Sequence, residues 1–427
     1  MIPWQRDQLE KIADVVGTPF YVYDAVELRR RIADVQALTQ GDGFQARFAM
    51  KSCPVHTVLK SMRDAGIWID AVSGNECLRA LSAGYSGGKE PPYILYTADV
   101  FRDNWKQAVF EEGILPNLGS PGMLDDLLKE GYRGPVGIRV NVGFGHGHVN
   151  TCDTGGPSSK HGIWWEDAAD FAKRASAVGC PVRLLHTHVG SGPQQEELRA
   201  NLNRIIDVFS EWIGDFSDVD AVSLGGGLPW NYQGGEALDV TALRNILTAG
   251  REKLVAAAGR PLRLEIEPGR YFVASAGTLV ARVTDVKSTR SNEKGEGHRF
   301  VMVDAGFVDL VRPAMYGSYH RIEAPGVNGG SEAVCVAGPL CESGDVFTRG
   351  ADELLEPRTL PSLKVGDLIC LRDAGAYGYA MSSNYNSIGR PPQVWIDGQE
   401  IRLISRRETL HDLLVSEVDE VIASPAP

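Results

Sequence analysis

Residues 44–84, "FQARFAMKSCPVHTVLKSMRDAGIWIDAVSGNECLRALSAG", alternate short apolar runs with amphipathic helical patterns. The runs "FQARFAMK" and "IWIDAVS" are followed by "HTVLKSMRDAG" and "GNECLRALSAG", which have helical periodicity. Strands repeatedly followed by helices, each strand closing in a charged or small polar residue, are typical of parallel α/β architecture. This stretch therefore predicts two consecutive β/α units.

The same alternation extends on both sides of this stretch, from about Pro19 to Val273. Roughly eight or nine such units over about 250 residues favour a (β/α)8 barrel over an open doubly wound sheet. No G-x-G-x-x-G motif opens an early β/α unit, which weakens the alternative of a dinucleotide-binding fold. We therefore predict a barrel domain over residues 21–273.

The helical periodicity fades after about Ser275, and short β-rich runs separated by Gly, Pro and Asp follow. Runs such as "GTLVARVTDVKS", "RFVMVDAG" and "DLICLRDAG" are typical of a mainly antiparallel β domain. We predict this second domain over residues 274–415, and a disordered tail over residues 416–427. The predicted fold class is thus α/β plus all-β.

Composition and charge exclude several classes of function. The 427 residues include 43 Lys plus Arg against 55 Asp plus Glu, a net charge of -12, which argues against a nucleic-acid or anionic-membrane partner. No apolar run approaches the ~20 residues of a membrane-spanning helix, and the first residues resemble no targeting signal. Seven cysteines without CxxC spacing indicate reduced thiols, so the expected compartment is the cytoplasm.

In a barrel, the chemistry lies where the strands end, at the carboxyl face. Two of these predicted ends are rich in glycine: "LGGGLP" at 224–229 and "EIEPGRYF" at 265–272. Such loops can present backbone N–H groups to a phosphate, although they also serve as plain tight turns. The residues just past the apolar runs are Lys51, Asp70, Ser73, His186, His188, Ser191, Gly225 to Gly227, Glu265, Glu267 and Arg270.

The segment "HTHVGSG" at 186–192 permits more than one interpretation. An H-x-H at a strand end could hold a divalent metal, as in a metal-dependent barrel hydrolase. The remaining histidines supply no convincing further ligand. A neutral histidine lying against an aromatic cofactor ring fits better, and a purely structural pair of histidines is the remaining alternative.

Nine separated blocks, in order along residues 17–415, resemble the diaminopimelate decarboxylase family. They include "FAMKSCPVHTVLKSM", "DAVSGNECLRALSAGY", "HTHVGSG", "LGGGLP", "EPGRYFVASAG", "VDAGFVDLVRPAMYGSYH", "AGPLCESGDVF" and "GAYGYAMSSNYN". This family belongs to the fold-type III, alanine-racemase-like enzymes, which use pyridoxal 5'-phosphate (PLP). The resemblance implies a PLP-binding barrel, a β-sandwich-like domain joined by N-terminal residues 1–20, and a homodimer with shared active sites.

The resemblance also implies roles for individual residues. Lys51 would bind PLP covalently through its amine, Glu267 would keep the pyridine nitrogen protonated, and His188 would stack on the ring face. The residues that match the family's phosphate-binding positions are Ser191, Gly225, Gly226, Gly227, Gly269, Arg270 and Tyr377.

The substrate positions distinguish close relatives. Diaminopimelate carries a carboxylate and an ammonium at its non-reacting end, and a guanidinium suits the carboxylate. Arg312 with Tyr316, beside Arg270, would bind this carboxylate, and Glu342 would bind the ammonium. Arg312 and Glu342 could instead form an interdomain ion pair. Tyr377 is assigned to substrate as well as cofactor.

Cys341, by resemblance, would come from the partner subunit and return a proton to the carbon that loses CO2. A buried small hydrophobe is the alternative for this residue. The predicted reaction is conversion of meso-2,6-diaminopimelate to L-lysine and CO2, the last step of lysine biosynthesis. A related decarboxylase acting on a siderophore or polyamine intermediate is the closest alternative, and the predicted enzyme binds no metal.

Overall fold

A computed structural model describes residues 4–145, 154–190, 194–235, 237–293, 295–350 and 352–420. The chain divides into two compact units. The barrel unit comprises Val26–Ser275 and Gly375–Ala380, and the β unit comprises Met1–Ala25, Ala276–Ala374 and Met381–Pro427. Of the tail predicted to be disordered, residues 416–420 contain no helix or strand and residues 421–427 lie outside the described residues.

The described strands follow one another along both units. In chain order they are β1 Phe20–Asp24, β2 Phe44–Ala49, β3 Trp68–Ala71, β4 Ile94–Ala98, β5 Leu115–Leu118, β6 Val136–Asn141, β7 Ile163–Trp164, β8 Val182–His186, β9 Ala221–Ser223, β10 Arg263–Ile266, β11 Gly277–Ser288, β12 Arg299–Val303, β13 Ile322–Glu323, β14 Glu332–Ala337, β15 Arg358–Leu360, β16 Leu368–Leu371, β17 Gln393–Asp397 and β18 Glu400–Ser405.

The described α-helices alternate with the strands of the barrel unit and are short or terminal in the β unit. In chain order they are α1 Arg6–Val16, α2 Ala25–Leu38, α3 His56–Asp64, α4 Gly74–Ser82, α5 Pro121–Lys129, α6 Trp165–Ala177, α7 Gln195–Trp212, α8 Val240–Ala258, α9 Arg270–Val273, α10 Arg312–Tyr316 and α11 Leu410–Leu414. None of the helices in the described residues is long and apolar enough to cross a membrane.

The barrel unit contains a closed parallel barrel. Its strands run in the order β5-β4-β3-β2-β10-β9-β8-β6, and β6 pairs back to β5, while β7 adds to β6 outside the ring. Parallel strands are covered on both faces, so they read as continuous apolar runs, and all six residues of β6 are buried. The fold-class prediction of a (β/α)8 barrel with a separate β domain is confirmed.

Local sequence signals fix the barrel helices. The side chain of Ser73 caps α4 by accepting from Glu76 N at 3.1 Å, and the Glu76 side chain accepts from Val72 N at 2.8 Å. Asp239 caps α8 in the same way through Ala242 N, and Gly259, with φ +66°, ends that helix in the left-handed conformation. These caps satisfy N–H groups that a helix leaves unpaired at its start.

The β unit is built on a mixed nine-stranded sheet. Its main path runs β15-β14-β12-β11-β1-β17-β18, with β16 pairing with β11 and β13. Most pairs are antiparallel, as the sequence predicts, but β12–β14 and β1–β17 are parallel. A core packs beneath the sheet from α1, β1, β16 and β17, including Leu9, Phe20 and Val394.

One assignment from the sequence is wrong. The predicted barrel domain began at residue 21, whereas Phe20–Asp24 forms β1 of the other sheet and pairs with β11 and β17. Its residues Phe20, Tyr21, Val22 and Tyr23 are fully buried, so nothing in the local pattern distinguishes one sheet from another. The short return of residues 375–380 to the barrel unit was also not predicted.

Candidate active site

The carboxyl ends of the barrel strands surround one cavity. Lys51 lies in a 3-10 turn, Met50–Ser52, directly after β2, and Glu267 follows β10. His188 follows β8, and the glycines at 225–227 follow β9. The residues that line the cavity are Ala49, Lys51, Asp70, His188, Gly226, Gly227, Leu228, Glu267, Gly269, Arg270 and Tyr377.

Glu267 is the centre of a buried hydrogen-bond network. Its Oε2 accepts from His186 Nε2 at 2.8 Å, and its Oε1 accepts from the Ser223 hydroxyl at 2.7 Å. Burial alone would raise the pKa of Glu267, but the charge of His186 and the hydrogen bonds from His186 and Ser223 lower it below the ordinary value. The carboxylate is therefore anionic at neutral pH. Nδ1 of His186 is buried with no hydrogen-bond partner among the described residues.

His188 is held in its neutral form. Burial, together with the positive charges of Lys51 and Arg139, lowers the pKa of His188 well below the ordinary value. A neutral imidazole carries little desolvation penalty, so it can pack against an apolar or aromatic face. Thr154 also donates to the His188 carbonyl at 2.9 Å, which fixes this part of the loop.

Asp70 places a second acid in the cavity beside Lys51. Burial and the negative charge of Glu267 raise its pKa, while the charges of Lys51 and His186 oppose the rise. The side chain is 4% exposed. Burial lowers the pKa of the Arg139 guanidinium on β6, and the negative charges of Asp70 and Glu267 oppose that change.

The two glycine loops at the cavity lie close to neighbouring backbone, which leaves little space for a Cβ. A Cβ on Gly226 would lie 2.5 Å from the carbonyl oxygen of Glu267, and one on Gly269 would lie 3.1 Å from the carbonyl oxygen of Ala49. Gly225, with φ +71°, accepts from Glu267 N at 2.8 Å and so ties the two loops together. Gly226, Gly227 and Gly269 thus form a cradle that lines the cavity with backbone rather than side chains.

Arg270 and Tyr377 close one side of the same cavity. The Arg270 guanidinium donates to the Tyr232 hydroxyl at 2.7 Å and lies 5.1 Å from the centre of the Tyr377 ring. Tyr377 belongs to the returning segment 375–380, and its N–H donates to the Ser52 carbonyl at 2.7 Å. Its φ of +58° is uncommon for a tyrosine.

The four remaining candidates lie in the β unit. Arg312 is 2% exposed, begins α10 and donates to the Ser318 hydroxyl at 3.0 Å, and Tyr316 ends the same helix. Cys341 and Glu342 are exposed; the Cys341 N–H donates to Asn386 at 3.3 Å. An exposed Cys341 does not fit the alternative of a buried small hydrophobe.

Among the predicted cavity residues, Ser191 lies outside the described residues. The residues assigned to the site from the sequence did not include His186 or Ser223. Their contacts with Glu267 lower the pKa of that carboxyl group. His186 was predicted to lie at a strand end and was considered as a metal ligand or as a structural histidine; the structure pairs it with the carboxylate of Glu267. No group of three or more His, Cys, Asp or Glu in the described ranges is arranged to hold a metal ion.

Comparisons with known proteins agree with one another. Residues 26–274 match the family described as "Pyridoxal-dependent decarboxylase, pyridoxal binding domain". The chain is 44% identical to a diaminopimelate decarboxylase of Escherichia coli, covering 96% of both proteins, and 43% identical to one of Streptomyces coelicolor, covering 96% of this chain and 92% of that protein.

Crystal structures of similar proteins show the same fold. One diaminopimelate decarboxylase structure has a TM-score of 0.87 at 42% identity and covers 96% of both chains. The Helicobacter pylori diaminopimelate decarboxylase complexed with L-lysine has a TM-score of 0.82 at 26% identity, covering 95% of this chain and 98% of that one.

Proposed function

Because this chain belongs to the diaminopimelate decarboxylase family of pyridoxal-dependent decarboxylases, we propose that it converts meso-2,6-diaminopimelate to L-lysine and CO2. The observation that carries the proposal is the full-length similarity together with one cavity that joins Lys51, Glu267 and two glycine loops. With lysine as product, the reaction would be the last step of lysine biosynthesis, in the cytoplasm.

The cavity residues fit pyridoxal phosphate. Gly226, Gly227 and Gly269, from two different loops, line the cavity without side chains, which suits a phosphate that needs N–H donors from more than one loop. An amine, Lys51, and a carboxylate kept anionic, Glu267, line the same space. When bound, the cofactor supplies an electron sink for the pair left behind as the bond to CO2 breaks.

Each cavity residue has a distinct proposed task. Lys51 would hold the cofactor covalently through its amine, and Glu267, fixed by His186 and Ser223, would keep a proton on the ring nitrogen. His188, neutral at physiological pH, would cover one face of the ring without competing for that proton. Gly225 to Gly227, Gly269, Arg270, Tyr377 and Ser191 would contribute to phosphate binding.

Substrate recognition is proposed for the remaining residues. Arg312 with Tyr316, assisted by Arg270 and Tyr377, would bind the distal carboxylate, because a guanidinium presents donors in fork geometry. Glu342 would bind the distal ammonium. A substrate whose non-reacting end carried only an ammonium, such as ornithine, would offer no carboxylate to the Arg312 guanidinium.

We further propose a homodimer with shared active sites, in which Cys341 of one subunit donates a proton to the carbon that has lost CO2 in the other. The exposure of Cys341 and Glu342 on the β unit supports this arrangement, because both side chains are accessible to a second copy. Sedimentation velocity, together with mixtures of Lys51→Ala and Cys341→Ala chains, tests it: recovered activity in the mixture requires a shared site.

The decisive experiment measures cofactor and substrate together. Purified protein is expected to be yellow, to lose its visible band on borohydride reduction with added mass on Lys51, and to release CO2 from meso-diaminopimelate. A colourless protein that binds no added pyridoxal phosphate would overturn the cofactor assignment. A yellow protein that prefers ornithine or lysine would overturn the substrate assignment and favour a related amino-acid decarboxylase.

A further inference from the structure

A second cavity of about 340 Å³ lies at the other end of the barrel from Lys51 and Glu267. Arg263 is the first residue of β10, Arg183 lies near the start of β8, and Asp220 immediately precedes β9. The amino ends of the strands therefore surround this cavity, whereas the carboxyl ends surround the candidate active site. Its volume is at the lower end of the range for small-ligand sites.

The lining of this cavity has an excess of positive charge. Five cationic side chains line it (Arg47, Lys89, Arg133, Arg183 and Arg263), and two acids do so, Glu90 and Asp220.

A third acid, Glu265, pairs with two of these arginines. Arg47 contacts it through Nε at 2.6 Å, and Arg263 Nε does so at 2.7 Å. Because the single carboxylate is shared by two guanidinium groups, the cavity retains a net excess of two positive charges.

Several N–H donors at the cavity have no acceptor among the residues that the structure describes. The described hydrogen bond of the Arg263 guanidinium is from Nε to Glu265, and its two terminal nitrogens reach no acceptor in the described part of the chain. Lys89 makes no hydrogen bond or ion pair with any described residue, and Arg133 donates only to the neighbouring Tyr132 carbonyl, at 2.6 Å. The cavity thus combines uncompensated charge with unused donors in fork geometry.

We propose that this cavity binds a small dianion, carrying either a phosphate or two carboxylate groups. Guanidinium and ammonium donors form their strongest hydrogen bonds with these oxyanions, and two negative charges balance the excess of the lining. The Cα atoms of Arg47 and Lys51 are at most about 13 Å apart along the chain. The two cavities have no lining residue in common, so the anion occupies a different site from the cofactor. The inference does not depend on decarboxylase activity.

The test uses holoenzyme freed of excess cofactor by gel filtration. Thermal unfolding and titration calorimetry are measured with sodium phosphate, sodium succinate and, at matched ionic strength, sodium chloride. We expect phosphate or succinate to raise the unfolding midpoint above the chloride control, because a ligand that binds the native state stabilises it. A larger effect of phosphate identifies a phosphate ligand, and a larger effect of succinate identifies a dicarboxylate.

Two exposed cations provide variants that leave the buried pair with Glu265 intact. The double variant Lys89→Gln/Arg133→Gln is expected to bind the effective anion about tenfold or more weakly. The matched control, Lys129→Gln/Lys173→Gln, removes two exposed cations that do not line the cavity and should bind as wild type does.

Three results would overturn the inference. In one, neither anion stabilises the protein more than chloride does; in another, the double variant binds as tightly as the control. In the third, stabilisation is accompanied by loss of the cofactor's visible band, which places the anion in the cofactor cavity instead.

Discussion

His186 Nε2 lies 2.8 Å from Glu267 Oε2, and both side chains are buried at the carboxyl end of the barrel. The Ser223 hydroxyl donates a hydrogen bond to the other carboxylate oxygen, Oε1, at 2.7 Å. This pair fixes both the position and the charge of Glu267. An acid that keeps its negative charge in a buried site is suited to stabilise a protonated ring nitrogen.

Replacing Glu267 with Gln keeps the shape of the side chain but removes its charge. We expect kcat for decarboxylation to fall by about 10²-fold or more, because the negative charge that would keep the ring nitrogen of the cofactor protonated is lost. Ser223→Ala should have a smaller effect, since His186 still holds the carboxylate. Steady-state kinetics and the visible spectrum measure both, and a Gln variant with wild-type kcat would remove Glu267 from the proposed mechanism.

Gly226→Ala should weaken cofactor binding without unfolding the barrel. The added Cβ would lie 2.5 Å from the Glu267 carbonyl oxygen, so the loop must shift away from its position in the cradle. We expect about a tenfold or greater loss of affinity for pyridoxal phosphate, by titration of the visible band. Gly214→Ala is the matched control, because a Cβ there meets no atom within 4 Å. Equal affinities in the two variants would contradict the cradle.

Arg312→Ala should impair the use of diaminopimelate while the protein stays yellow. The loss of a charge-assisted pair to the distal carboxylate is expected to lower kcat/KM by about 10²-fold, mainly through KM. Arg312→Lys keeps the charge without the fork and should recover only part of the loss. Arg402→Ala, on the exposed strand β18, is the control. Normal kinetics for Arg312→Ala would show that another group binds the carboxylate.

Glu265 is two residues from Glu267 but has a structural role. Its side chain is fully buried and pairs with Arg47, which is also fully buried. Glu265→Gln would leave that guanidinium without its charge partner, at a cost of about 3–5 kcal/mol in the free energy of unfolding. Asp207→Asn, which breaks the exposed pair with Lys253, should cost less than about 1 kcal/mol. Urea denaturation distinguishes them, and equal losses would contradict the structural role.

Asp309 makes the stability of the β unit depend on pH. Burial, with smaller contributions from Asp304 and Asp345, raises its pKa from 3.8 to about 7 despite a hydrogen bond from Gly306 N and the charge of Arg407. A raised folded-state pKa favours the protonated native form. The contribution of Asp309 to the free energy of unfolding is therefore complete below pH 3.8 and is lost as the pH rises through about 7.

The variant Asp309→Asn removes this titration. Its advantage over wild type in urea denaturation should therefore grow from about pH 4 to about pH 7 and reach on the order of 4 kcal/mol. Asp285→Asn, an exposed acid on β11, should show no such trend. A gap between Asp309→Asn and wild type that does not change with pH would contradict the assignment.

Much of the site was predictable because it is local in sequence. A residue that follows an apolar run of a parallel barrel must lie at the carboxyl face, so Lys51, His188 and Glu267 could be placed there from the pattern alone. The same argument located the glycines at 225–227. The roles of His186 and Ser223 were not predictable, because strand periodicity says which end a residue occupies but not which neighbour its side chain contacts.

The sequence by itself determined the alternation of strands and helices, the change to short β-rich segments after Ser275, and the set of side chains at the strand ends. Only the tertiary structure decided that Phe20–Asp24 joins the sheet of the β unit and that Tyr377 returns to donate to Ser52. It also paired Arg47 with Glu265, 218 residues apart. The geometry of a helix or strand fixes the spacing of buried side chains within each segment, so that spacing can be recognised in the sequence. Contacts between residues distant in the chain depend on burial and hydrogen bonding in the folded protein, so the local pattern does not reveal them.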